Sequence, residues 1–168
     1  MSEVSRDRPV MPEGYGVPET DEGLIEWSAV EVRLVDAPQY WMSSTRPDGR
    51  PHVVPRWGVW LDRTFYYDGS PATVHARNLE QNEGCVLHIG DGWEAVIVEG
   101  ASRASEPVTG DLGVRIAAEL GRKYGERGYA PAADAWSGPD AGGLRVLTPH
   151  KVMAWFTFPG DVTRFHFS

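Results

Sequence analysis

The apolar positions along the chain follow two rhythms. From Asp21 to Val35, Leu24, Trp27, Val30 and Leu34 recur at spacings of three and four, which aligns them on one face of a helix. Asp21 and Glu22 suit the positive end of that helix and Pro38 stops the run, so the pattern predicts an amphipathic helix here. Residues 1 to about 19 hold Pro9, Pro12, Pro18, Gly14 and Gly16 without such periodicity. They read as a flexible arm, disordered or laid over a neighbour, ahead of one domain over 20–168.

After Pro38 the rhythm shortens to that of strands. Gln39 to Thr45 is rich in β-compatible residues, and Arg46-Pro47-Asp48-Gly49 has the composition of a tight turn, so a hairpin is expected. In its second arm, His52 to Leu61, Val53, Pro55, Trp57, Val59 and Leu61 alternate with His52, Val54, Arg56, Gly58 and Trp60. Pro55 removes a ladder donor, which predicts a bulge or an unpaired stretch near it. A third strand over Thr64–Asp68 leads to Ser70-Pro71, which opens a short helix ending near Asn82.

Gly90-Asp91-Gly92 separates strand-like runs at Cys85–Ile89 and Trp93–Arg103. Leu112, Ile116, Leu120 and Tyr124 mark one side of a helix that Gly125 terminates. Glu126 to Gly143 reads as a flap anchored by Trp136. Three further runs, Leu144–Thr148, Val152–Phe158 and Thr163–Phe167, are separated by Pro149-His150 and Pro159-Gly160-Asp161. Seven or eight short strands with interspersed helices predict a mainly β, α+β domain built on an antiparallel barrel. Its own side chains fill a barrel of this size, so a large ligand sits outside it or between subunits.

Charge and composition narrow the function. A chain of 168 residues with a net charge of -8 and an isoelectric point near 5.1 lacks the basic face that a phosphate backbone demands, which argues against nucleic acid. The single cysteine, Cys85, closes no internal disulfide and reads as a buried strand residue. The first residues carry no signal-peptide run and no stretch suits a membrane span, so a reducing cytoplasm is the expected location. Seven Trp and six Tyr supply flat side chains suited to ligand clefts and subunit interfaces. The five histidines have no metal-ligand spacing, and no nucleophile sits in a recognisable elbow.

One segment carries candidate chemistry. The strand over Thr64–Asp68 runs into Ser70-Pro71-Ala72-Thr73 and a helix bearing His75, Arg77 and Asn78. Backbone N–H groups at a helix start, the Ser70 and Thr73 hydroxyls and the Arg77 guanidinium together suit a phosphate. Spacing alone favours a plainer reading, with Ser70 an N-cap and Arg77 a solvated charge.

The run Thr45-Arg46-Pro47-Asp48-Gly49-Arg50-Pro51-His52-Val53-Val54-Pro55-Arg56-Trp57-Gly58-Val59-Trp60 resembles the pyridoxamine 5'-phosphate oxidase-like split-barrel family. So do Phe65-Tyr66-Tyr67, Ala76-Arg77-Asn78-Leu79-Glu80-Gln81-Asn82, Val96-Ile97-Val98-Glu99-Gly100 and Thr163-Arg164-Phe165-His166-Phe167. The resemblance implies a six-stranded antiparallel Greek-key split β-barrel with flanking helices, a homodimer, and FMN or the deazaflavin coenzyme F-420 at the subunit interface. It places the flavin ring along Val53, Val54, Pro55, Arg56 and Trp57. The family's Ser-Arg-Lys-like phosphate grip falls on Thr73-Val74-His75, where Val74 donates nothing and His75 is only fractionally charged. Arg56 and Arg77 are then expected to supply the missing charge, with Ser70, Thr73, His75 and Asn78 nearby. Near the C-terminus Arg164-Phe165-His166 has only the bare spacing of the family's Arg-x-His substrate motif and is not taken as that motif, so vitamin B6 is not the expected substrate. The implied function is a flavin-dependent oxidoreductase acting on a small molecule, its flap Trp136 covering the site. The alternative is a non-catalytic split-barrel protein that binds FMN, haem or a lipid-like molecule.

Overall fold

The computed structural model describes residues 4–168 and departs from expectation at its first element. Val4–Asp7 forms a strand, β1, paired antiparallel with Thr163–Phe167 at the other end of the chain. Arg164 forks onto the Asp7 carboxylate at 2.8 and 2.7 Å and ties the pair together. This part of the expected flexible arm is therefore an edge strand on the chain's own sheet. The helix predicted from Asp21 begins later: α1 spans Trp27–Asp36, with Val30 and Leu34 buried. The stretch before it is drawn away because the Ile25 N–H donates to the Thr163 hydroxyl at 2.9 Å.

Strands β2 (Tyr40–Thr45) and β3 (Pro51–Arg56) form the expected hairpin, with Gly49 at φ +83° in a conformation that glycine adopts readily. Pro55 pairs in register with Trp41, so the break does not fall there. It falls at Trp57-Gly58, after which β4 (Val59–Leu61) pairs with β5 (Thr64–Tyr67). A Cβ at Gly58 would lie 2.3 Å from the Phe65 ring, so only glycine lets the strand bend this closely over β5. The β4–β5 turn places Asp62 and Arg63 at φ 50° and 62°, and Arg115 holds Asp62 bidentately at 2.7 and 2.8 Å.

Helix α2 (Val74–Gln81) precedes β6 (Gly84–Gly90) and β7 (Ala95–Ala104), and α3 (Asp111–Tyr124) follows. The left-handed stop is Gly128 rather than Gly125, because Gly125 continues as a 3-10 turn. Strand β8 runs unbroken from Arg145 to Trp155. Pro149-His150, expected to separate two strands, is instead a bulge: Gly100 pairs with Pro149 and Glu99 with Lys151, leaving His150 as the extra residue. Thr163–Phe167 is β9.

The pairings close a ring. β2 joins β3, the bent β3–β4 strand joins β5, β5 joins β8, and β7 and β6 lead back to β2. Counting β3–β4 as one, this is a six-stranded antiparallel barrel. The edge of β8 is shared between β5 over Arg145–Leu147 and β9 over Lys151–Ala154, which hangs the β9–β1 pair outside the ring. Tyr40, Met42, Phe65, Leu87, Val98 and Val152 fill the interior. Helix α1 covers one end through Val30 and Leu34. No helix among the described residues is long and apolar enough to cross a membrane.

A second core lies outside the barrel, where Ile116, Leu120 and Tyr124 of α3 meet Val59, Ala141 and Leu144. Trp136 is buried among them at 1% exposure. The expected flap is thus packed structure, and its tryptophan does not cover an open site. Two substitutions test this architecture. Gly58→Ala is expected to lower the unfolding free energy by about 1–3 kcal/mol or more through overpacking against Phe65, read from urea denaturation. Trp136→Ala should cost roughly 3–5 kcal/mol by the same measurement, as a truncated core aromatic does.

Candidate functional site

Alternation along β3 sorts the residues expected to line a ring. Pro51, Val53 and Pro55 are exposed while His52, Val54 and Arg56 are partly covered. Just past the strand end, Trp57 remains 41% exposed and stacks on the Tyr124 ring at 4.8 Å and 8°. Val53, Pro55 and Trp57 therefore share an open outer face. That face continues across the barrel, since Pro55 is paired with Trp41 and Trp41 with His88. Trp41 is 39% and Val53 52% exposed, and an apolar surface of this kind favours a flat ligand or a partner.

Arg56 points the other way. Its Nη2 donates to the Asp68 carbonyl, its guanidinium carbon lies 5.4 Å from the Tyr67 ring centre, and its buried Nε has no partner among the described residues. Burial lowers its pKa. Asp68 in turn accepts from the Tyr129 hydroxyl and, at 3.2 Å, from Trp136 Nε1. The loop after α3 is moored to the end of β5 through this carboxylate.

The start of α2 differs from the sequence reading. Thr73, not Ser70, is the N-cap. The Ser70 hydroxyl accepts from the Ala72 N–H at 3.2 Å, and the Thr73 hydroxyl donates to the Ser70 carbonyl at 2.9 Å. His75 is 3% exposed, and burial, followed by the positive fields of Arg56 and Arg145, pushes its pKa down to about 4. It is neutral at pH 7. Asn78 is buried as well, its Nδ2 donating to Ser44 Oγ at 3.0 Å. Arg77 is exposed on the outer side of the helix. The structure brings Arg56 and His75 together beside Tyr67, with Thr73 next to His75, and keeps Arg77 apart from them.

Several members of this cluster escaped the sequence reading. Arg145 is 5% exposed, donates from Nη1 to Glu80 at 2.8 Å, and leaves Nε and Nη2 without hydrogen-bond partners among the described residues. Its cross-strand neighbour Tyr67 meets the Ser102 hydroxyl at 2.8 Å. An arginine opening a strand reads as surface, and only the β5–β8 register turns it inward. His52 was within reach of the sequence, because it alternates with Arg56 on one side of β3.

The neutral His75 has a measurable consequence. A histidine with an ordinary pKa of 6.5 when unfolded and about 4 when folded binds more protons in the unfolded chain between those values. Its contribution is fully present above pH 6.5 and is lost as pH falls toward 4. We expect the unfolding free energy from urea denaturation to drop as pH falls across this window, by at most about 1.4 kcal/mol per pH unit from this residue. His75→Gln should flatten that slope.

Comparison with known proteins supports this architecture. Solved structures with a similar fold include a conserved hypothetical protein of Mycobacterium tuberculosis, with a TM-score of 0.61 and 15% identity over 83% of this chain and 89% of that one. The heme storage protein HutZ of Vibrio cholerae matches at TM-score 0.54 and 21% identity, over 75% and 90% of the two chains. An F420 reductase matches at TM-score 0.50 and 19% identity, over 84% and 98%. At these identities the likeness bears on the fold. No curated protein matches in sequence. The pyridoxamine 5'-phosphate oxidase family profile matches residues 28–156, well over half of the chain. This chain, with its closed six-stranded barrel, belongs to the pyridoxamine 5'-phosphate oxidase family.

Proposed function

We propose that this protein binds a flavin-type cofactor, FMN or the deazaflavin F-420, at the interface of a homodimer and serves as an oxidoreductase for a small molecule. The observation that carries this reading is the open apolar face of Val53, Pro55 and Trp57 in a member of this family. The residues fit a planar ring system there: a flat ligand meets two aliphatic side chains and an indole already stacked on Tyr124. A second copy of the chain laid over the Trp41–His88 region would bury the exposed indole and exclude water from the ring.

When bound, the cofactor supplies hydride or electron transfer. The chain's own part is positioning. Tyr124 fixes the Trp57 indole and in turn donates to the Gly58 carbonyl at 3.0 Å, so the ring platform rests on α3. Lys123 Nζ donates to the same carbonyl at 3.1 Å and to the Tyr40 hydroxyl at 2.8 Å. Burial lowers the Lys123 pKa to about 8.

The Thr73-Val74-His75 triplet does not fit a phosphate. Its hydroxyl is engaged, its valine has no donor, and its histidine is buried and neutral. This supports a second reading, a barrel that binds a flat ligand such as haem without turnover, in line with the heme storage protein of similar fold.

Fluorescence titration with FMN and with F-420 at one ionic strength, beside an absorbance titration with hemin, separates the readings. Saturable micromolar or tighter binding of either flavin, lost in Trp57→Ala, is expected. Binding of hemin alone would establish the second reading. Sedimentation as a monomer at micromolar concentration would contradict the interface site.

A further inference from the structure

A cleft of about 630 Å³ lies on the outer side of α2, facing the β2–β3 turn. Val74, Arg77, Asn78 and Gln81, spaced by three and four residues, form its helical wall. Arg46, Asp48 and Arg50 of the turn face them. Charge pairing within the cleft is uneven. Asp48 is held by Arg50 at 2.7 Å, and Glu80 at the rim is held from beneath by the buried Arg145 at 2.8 Å. Both carboxylates are thereby matched.

Two guanidiniums remain. The Arg46 guanidinium makes one hydrogen bond, to the ring Nδ1 of His52 at 3.3 Å, and reaches Asp48 only through its field, while the Arg77 guanidinium has no hydrogen-bond or ion-pair partner among the described residues. In a chain of net charge -8, two cations without a carboxylate hydrogen bond across one cleft are a local reversal of sign. Planar guanidiniums present paired donors that match the oxygens of phosphate or carboxylate. The start of α2 offers nothing comparable, because its histidine is neutral and its hydroxyl is already engaged.

We propose that the oxyanion end of the bound ligand is held by Arg46 and Arg77 in this cleft rather than at the start of α2. For a flavin ligand the anion is its phosphate, and in that form the inference rests on the function proposed above. The cleft also stands as an anion subsite by itself. Glu80 links it to the interior: with Arg145 as its partner, its charge does not oppose an incoming anion.

The test compares FMN with riboflavin, which lacks the phosphate, by fluorescence titration of the full chain and of Arg77→Ala, Arg46→Ala and Thr73→Ala. Inorganic pyrophosphate, followed by calorimetry, is the probe that needs no flavin site. We expect the wild type to prefer FMN over riboflavin by about tenfold or more, as a charged hydrogen bond allows, and the preference to fall as salt rises. Arg77→Ala and Arg46→Ala should erase the preference while leaving riboflavin affinity unchanged, whereas Thr73→Ala should keep it. A preference that survives both arginine substitutions, or collapses in Thr73→Ala, overturns the assignment. If neither flavin binds, the flavin reading fails separately: pyrophosphate binding that depends on Arg77 still supports the subsite, and its absence rejects it.

Discussion

The bend at Trp57-Gly58 is the constraint from which the rest of the molecule follows. Up to Arg56 the strand is bonded to β2, and from Val59 it is bonded to β5, so the ring of six strands closes only if one chain serves both neighbours. Gly58 permits this because its Cα approaches the Phe65 ring and the Tyr66 carbonyl more closely than any side chain would allow. The Gly58 carbonyl freed from the ladder at the bend accepts from Tyr124 and Lys123, while its N–H meets the Tyr124 oxygen at 3.1 Å. Satisfying these backbone groups fixes α3 against the barrel. The same turn sets Arg56 inward and Trp57 outward, separating a half-buried cation from an exposed aromatic at adjacent residues.

The buried end of the barrel beneath α2 is organised by positive charge. Arg56 and Arg145 lie near Tyr67, and each retains N–H groups without an acceptor. A histidine beside two guanidiniums and out of water favours its uncharged form, which is the state that burial and both fields impose on His75. The position where the family resemblance implies a cationic phosphate contact thus holds a neutral ring. Arg145 carries its charge to Glu80 instead, on the rim of the outer cleft. The electrostatics of the interior and of the surface cleft are joined through this one ion pair.

The remaining elements brace the barrel rather than shape a site. The β9–β1 pair extends the sheet from the half of β8 that β5 leaves free, and the Asp7–Arg164 fork holds it there. The loop between α3 and β8 is long, yet Trp136 sinks into the second core and Tyr129 bonds to Asp68. Its length reflects the need to cover α3 and Val59 with a wall that no strand supplies.

Much of the fold was written in local patterns. The turn at Arg46–Gly49, the helix carrying Ile116, Leu120 and Tyr124, and the β6–β7 hairpin were legible because each is decided by periodicity, a glycine or a proline within a few residues. The order of these pieces, with the quoted motifs, was enough to indicate the split barrel. What only the tertiary structure decided depends on partners far along the chain. Pairing with β9 turned Val4–Asp7 from an arm into a strand, and the β5–β8 register turned Arg145 inward. Burial against Arg56 and Arg145 set the charge of His75, and pairing of Asp48 and Glu80 elsewhere left Arg46 and Arg77 without a carboxylate hydrogen bond. Sequence determines which conformations a segment prefers, whereas the charge and exposure of a side chain are set by what the fold brings against it, and that contact is non-local.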